Sequence, residues 1–336
     1  MANLQTAFKE FHDNIKLDNE NEILREKRDI LLRKLKDKIS DDAASYASFN
    51  QGSYAMYTGI KPDDDDFDID VGLEFSIEKD DYPDPVKVKK WVKDALDGHT
   101  KSVKIRRSCV TVQYQINSEP VYHVDFAIYA ANNADGKLYI AKGKENSGEE
   151  YRKWEESDPK GLMNCIAERF TDSDERAQFR RIIRYFKKWS NVTFSSDGNS
   201  APTGIALTVL AYDRFEVYKT FDSIASTYAY DDFSALLDLV NSIESAFTLK
   251  YDSDSASFFH DISVSLPVEP YSDLLTKMTM NQKETFYNKL VDLSSKLSTV
   301  EEKTLLADKC TILQDIFGED FPIKTTRSAI GSSESA

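Results

Sequence analysis

The run Phe67-Asp68-Ile69-Asp70-Val71 constrains this chain more than any other stretch. In a β-strand, successive side chains point to opposite faces. Phe67, Ile69 and Val71 therefore turn toward a core, while Asp68 and Asp70 share the other face. Two carboxylates side by side on a rigid face repel each other, and a divalent cation offsets that repulsion. Magnesium favours a few carboxylate oxygens together with substrate phosphates. The competing reading is a solvated strand edge, and Asp63–Asp66, after Lys61-Pro62, read as a solvated acidic turn.

A third carboxylate lies in Val121-Tyr122-His123-Val124-Asp125-Phe126-Ala127-Ile128. Val124, Phe126 and Ile128 alternate toward one face and Asp125 points to the other. An aspartate in so apolar a strand is costly unless it coordinates or pairs, and Arg106 or Arg107 is the alternative partner. Upstream, Gln51-Gly52-Ser53-Tyr54-Ala55 follows a short strand at 46–50 and can open a helix, whose N-terminal N–H groups suit an anion. Glycine allows close backbone approach and serine adds a hydroxyl. Most Gly-Ser dipeptides are turns. This one gains weight from the Asp pair that follows it and from Asp125 beyond.

The wider pattern is α+β. Helices are expected at 4–15 and 20–39, the second capped by Asn19 with Glu22 and carrying Leu24, Leu31, Leu35 and Ile39 at helical spacing. The pair is expected to brace the fold. Strands are expected at 67–75, 101–107, 108–116 and 121–130, with a helix at 85–97 that Pro85 starts. From Pro159 the reading is helical, at 159–170, 174–190, 203–217, 231–247, 271–277, 280–297 and 301–317, with 251–268 irregular or weakly extended. On 174–190, Phe179, Ile182, Ile183 and Phe186 form the apolar stripe. Arg180, Arg184 and Lys187 fall beside it, either as a solvated basic face or, for Lys187, as a phosphate contact.

The net charge of -15 argues against stable binding to nucleic acid, which relies on Lys and Arg. Cys109, Cys165 and Cys310 show no paired spacing, so neither a disulfide framework nor a zinc site is expected. With no signal peptide and no transmembrane run, the expected location is the cytoplasm.

Gly-Ser, then Asp-x-Asp on a strand, then a later strand Asp resembles the polymerase-β-like nucleotidyltransferase superfamily. Within it, QGSYAMYTGIKP…FDIDVGLEF resembles the bacterial cGAS/DncV-like nucleotidyltransferases (CD-NTases) of anti-phage CBASS systems. WEESDPKGL (154–162) resembles that family's crossing into its helical lobe, RYFKKW (184–189) its lysine-bearing helix, and APTGIALTVLA (201–211) the helix after it.

The resemblance implies a polymerase-β-like mixed-sheet core with a helical C-terminal lobe, bilobed around a central cleft. The core with its brace helices is expected at 1–158, the lobe at 159–318 and a flexible tail at 319–336. It implies that Asp68, Asp70 and Asp125 hold two Mg2+ ions, with Mn2+ able to substitute. It implies that Ser53, with Gln51 and Gly52, contacts a donor triphosphate, and that Lys187 binds phosphate. Thr203-Gly204 stands where the family carries serine, and only Thr203 keeps the hydroxyl. The implied product is a cyclic di- or trinucleotide made from NTPs, ATP among them, which activates a separate effector. Ala336 is the implied point of conjugation by a ubiquitin-transfer-like partner, the alternative being an unstructured end with no role. The alternatives are a linear oligonucleotide synthase, an enzyme adding nucleotides to RNA or protein, and an inactive nucleotide-binding module.

Overall fold

The structure, a computed structural model, describes residues 3–17, 20–62, 67–116, 119–194, 201–223, 225–253 and 256–324. The expected Asn19 cap, the acidic turn at 63–66 and Ala336 lie outside these residues. In chain order the first half holds α1 (Leu4–Ile15), α2 (Glu20–Lys38), β1 (Tyr46–Gln51), α3 (Gly52–Ala55), β2 (Phe67–Phe75), α4 (Pro85–Leu96), β3 (Ser102–Ile105), β4 (Val110–Ile116), β5 (Glu119–Ala130), β6 (Tyr139–Lys142), β7 (Lys153–Glu156) and α5 (Pro159–Glu168). The second half holds α6 (Ser173–Thr193), α7 (Gly204–Arg214), β8 (Lys219–Asp222), β9 (Thr227–Tyr230), α8 (Asp232–Glu244), β10 (Thr248–Asp252), β11 (Ser257–Asp261), α9 (Met280–Glu302) and α10 (Leu306–Phe317).

The chain divides into two units. One is Lys16–Thr171 with Ser265–Asp273, and the other is Met1–Ile15, Asp172–Val264 and Leu274–Ala336. The first is built on a seven-stranded mixed sheet of order β1-β2-β5-β4-β3, with β6 pairing both β5 and β7. Only β2 and β5 run parallel among these pairs. Its core takes Ile69, Val71 and Leu73 from β2, Val124, Phe126 and Ile128 from β5, Leu24, Leu31 and Leu35 from α2, and Val88, Val92 and Leu96 from α4. Each such side chain contributes about 1.5–3 kcal/mol when fully buried. Pro85 opens α4 and the Asp84 carboxylate caps it, accepting from Val86 N at 3.0 Å.

Lys89 on α4 is fully buried, and its ammonium donates to the carbonyls of Arg106 (3.1 Å), Arg107 (2.7 Å) and Gly143 (3.0 Å). Burial lowers its pKa to about 7. These bonds tie the β3–β4 turn to the segment after β6.

The helical unit gathers α1 onto α6 and α8. Phe8 and Phe11 pack on Tyr185, Phe317 and Phe321. The buried Asp232 accepts from Arg181 at 2.6 and 2.8 Å and from the Tyr185 hydroxyl at 3.1 Å. Two hairpins, β8–β9 and β10–β11, interrupt the helices. Asp261 pins the second to α9: Lys283 approaches it at 2.5 Å and Lys250 also pairs with it. Burial pushes the Asp261 carboxyl up, but the two lysines outweigh this and hold it below its ordinary value.

Several expectations are corrected. α1 groups with the helical unit and α5 with the sheet unit, so contacts do not divide at 158/159. α1 does so because its apolar face meets Tyr185 and Phe317. The segment 271–277 is not helical. Tyr271, with φ of 55°, takes a left-handed backbone after Pro270, and Ser265 bridges Asp273 instead. Residues 153–156 form a strand that pairs with β6. The helix expected at 301–317 is divided, since α9 runs on to Glu302 and α10 begins at Leu306. Among the described residues no helix is long and apolar enough to cross a membrane.

Lys89→Met leaves three carbonyls without their donor and is expected to cost about 3 kcal/mol, read as a lowered Tm. Asp261→Asn is expected to cost about 3 kcal/mol at pH 7, because it strips Lys283 of its anion. The folded pKa of Asp261 is depressed. Its stabilisation is therefore present above the unfolded value near 4 and lost as pH falls through the folded value, so wild-type and variant Tm values should converge in acid.

Candidate active site

The strand alternation places the carboxylates. On β2, Phe67, Ile69 and Val71 are buried, Asp68 is exposed and Asp70 is half-buried. Parallel pairing sets Asp68 opposite His123 and Asp70 opposite Asp125. On either side, β1 places Gln51 opposite Asp70, and β4 places Thr111 opposite Asp125. Registered partners share a face, so Gln51, Asp70, Asp125 and Thr111 form one row across four strands. Asp68 and His123 belong to the adjacent row on that face.

Gly52 ends β1 with φ of +69°, a left-handed backbone that favours glycine. A Cβ there would lie 2.0 Å from Asp70 Oδ2, so the Asp70 carboxylate lies against the glycine backbone. The expected helix after Gly52 is a single turn, α3. Ser53 O accepts from Thr58 N at 2.9 Å, and Ser53 is half-buried. The Gln51 amide oxygen accepts from the Tyr129 hydroxyl at 2.8 Å, which fixes that side chain.

Asp125 is not held by an arginine. Arg107 instead stands 3.9 Å from Glu155, and neither Arg106 nor Arg107 pairs with Asp125. His123 Nε2 stands 4.0 Å from Asp125 Oδ2. Asp125 Oδ1 is buried with no hydrogen-bond partner. Burial and the Asp125 charge push the nearby Cys109 thiol up to about 12, so it stays protonated. Hard oxygen donors on one face and an unsatisfied buried carboxylate oxygen fit a divalent cation. In the side-chain positions seen, no three His, Cys, Asp or Glu among the described residues are already gathered to hold an ion.

In the helical unit, Lys187 and Thr203 come together although 15 residues separate them. The Lys187 side chain is largely buried. Its Cε lies 3.7 Å, and its Nζ 4.0 Å, from where a Cβ on Gly204 would sit. The exposed Thr203 is the N-cap of α7, its hydroxyl accepting from Ala206 N at 3.3 Å. An ammonium beside a helix N-terminus adds positive charge to a positive dipole end, an arrangement suited to an anion. The neighbouring Lys188 serves structure, pairing with Asp320 at 2.6 Å.

Sequence reasoning missed His123 and Tyr129. His123 was detectable, since it precedes Asp125 by two residues and so shares its face. Tyr129 was not, because its bond to Gln51 depends on non-local pairing.

Residues 47–129 match the family profile described as "Cyclic GMP-AMP synthase DncV-like, nucleotidyltransferase domain". The chain is 31% identical over 170 residues to a cyclic GMP-AMP synthase of Escherichia albertii. That match takes in 48% of this chain and 35% of the relative, so it spans about a third of the relative's length. Among solved structures, the Bradyrhizobium diazoefficiens CD-NTase CdnG in complex with GTP shares the fold with a TM-score of 0.68 at 14% identity, covering 94% of this chain and 95% of that one. CdnC of E. coli MS115-1 with ATP gives the same TM-score at 17% identity, covering 96% and 99%. Residues 47–129 thus belong to the DncV-like nucleotidyltransferase domain family, in a chain that has the CD-NTase fold.

Proposed function

We propose that the chain is a magnesium-dependent nucleotidyltransferase that joins NTPs into a cyclic di- or trinucleotide. The reaction is attack of a ribose hydroxyl on an α-phosphate with release of pyrophosphate. The observation that carries this reading is the placement of Asp70 beside Asp125 on adjacent parallel strands, with Gly52-Ser53 at the end of the neighbouring strand.

Asp68, Asp70 and Asp125 would hold the divalent ions, Mg2+ with Mn2+ as a substitute. Bound there, the ions supply neutralisation of triphosphate charge and a lowered pKa at the attacking hydroxyl. Everything else falls to positioning by the chain. The Gly52–Ala55 turn and the Ser53 hydroxyl bind donor phosphate. Tyr129 orients Gln51 at the same edge. No separate proton-transfer base is assigned; Asp125, whose Oδ1 is buried and without a hydrogen-bond partner, is the candidate acceptor for the hydroxyl proton. In the helical unit, Lys187 and the α7 N-terminus that Thr203 caps offer a phosphate contact.

The names of the relatives, a cyclic GMP-AMP synthase and nucleotidyltransferases with GTP and ATP, support purine NTPs as substrates. The family likeness supports a product that activates a separate effector in anti-phage defence in the cytoplasm.

The test is incubation of the full chain with four labelled NTPs and Mg2+, then phosphatase treatment and mass spectrometry. A phosphatase-resistant product is expected. A labile linear product would overturn cyclisation, and no turnover with either Mg2+ or Mn2+ would overturn the enzymatic reading. Combining Asp68→Ala with Asp70→Ala should lower turnover by about a thousandfold or more while Tm changes little. Product formation at the wild-type rate would remove these residues from the mechanism. Gly52→Ala is expected to cost about 1–2 kcal/mol through its backbone and to displace the Asp70 carboxylate. Calorimetry should then show Mn2+ binding weakened by about tenfold.

A further inference from the structure

The helical unit carries a concave site that shares no residue with the carboxylate row. A cavity of about 600 Å³ is lined by Asn241, Glu244, Phe247, His260, Tyr287 and Ser294, among others. That volume is in the range of small-molecule sites. The walls come from the end of α8, the β10–β11 hairpin and α9.

Three features of this cavity share one sign. The first is aromatic. His260 stacks on Tyr287 with ring centroids 3.5 Å apart and planes 11° apart, and Phe247 tilts against Tyr287 at 5.2 Å. Ring faces are electron-rich and attract cations.

The second is a carboxylate in an unfavourable place. Glu244 is the last residue of α8, where the helix dipole is negative; the last turn of α8 holds no basic residue of its own, and Arg214 reaches it only through the Ser242 carbonyl, at 3.3 Å. Among the described residues no basic side chain pairs with Glu244.

The third is a wall whose one basic side chain, His260, already faces a carboxylate of its own, Glu284. The cavity lining contains neither lysine nor arginine. Lys283 and Lys250 are committed to Asp261, and Lys296 pairs with Asp292. The His260 ring is held through Nδ1, 3.1 Å from both Glu284 oxygens. The polar wall is also fixed, since the Ser294 hydroxyl donates to Asn241 Oδ1 at 2.7 Å.

We propose that this cavity binds a free small organic cation, a guanidinium or alkylammonium group on a short aliphatic body. The charged head meets Glu244 and the negative end of α8, and the body lies against Phe247 and Tyr287. An anionic ligand would face the Glu244 carboxylate and the negative end of α8. A bare metal ion would find a single carboxylate among aromatic rings, too few hard donors to replace its water.

The probe is agmatine, with N-butylurea as a flat uncharged counterpart, titrated into the full chain by calorimetry. Agmatine is expected to bind saturably, one per chain, and at least about tenfold tighter than butylurea. Glu244→Gln, which keeps size and hydrogen bonding, should weaken agmatine about tenfold with Tm unchanged, and Tyr287→Leu should weaken it as well. Agmatine that fails to saturate by about 10 mM, butylurea that binds equally well, or a Glu244→Gln chain that binds agmatine undiminished would each overturn the proposal.

Discussion

The parallel pairing of β2 with β5 is the constraint on which the rest of the sheet unit depends. On β2 apolar residues alternate with Asp68, Asp70 and Glu74, while β5 sets His123 and Asp125 against its apolar face and buries Ala127 and Tyr129 beyond them. Only their register sets Asp70 against Asp125 and Asp68 against His123. A slip of one residue would turn Ile69, Val71, Val124 and Phe126 out to solvent. The energy that fixes the core therefore also fixes the carboxylate row. Strands β1 and β4 extend the row with Gln51 and Thr111, and the close approach of Asp70 to Gly52 settles where β1 must end.

Much of this was legible in the sequence because it is local. The alternation in 67–75 and 121–130 gave both strands and the face of each aspartate, and Pro85 gave the start of α4. Pairing was not legible. Asp70 and Asp125 are far apart in sequence, and nothing in either segment states which strand it neighbours. The role of Thr203 was partly legible. Its hydroxyl could be read, but its use as a helix cap depends on where α7 begins.

The elements that went unread share a physical cause. β8, β9 and β10 lie almost wholly exposed, so no buried face imposes alternation on KTFD, TYAY or TLKYD. Their aromatic residues pair across each hairpin instead, Phe221 with Tyr228 and Tyr251 with Phe258. Such cross-strand pairs stabilise a hairpin without marking it by hydrophobic period. A helix was expected at 271–277, and the backbone at Tyr271 is left-handed instead. The polar clusters were equally hidden, since the partners of Asp232 arrive from α1 and α6.

The membership of α1 in the helical unit has a consequence for biosynthesis. Phe8 and Phe11 leave the ribosome before their cover: Tyr185 and the Phe317–Phe321 aromatics follow about 170 and 310 residues later. At about 5–20 residues per second, that leaves an amphipathic helix uncovered for roughly 15–60 seconds while most of the sheet unit is already complete. The nascent chain thus carries an apolar segment without its partners throughout that interval. That interval, more than the stability of the finished protein, is where holdase binding or aggregation competes with folding.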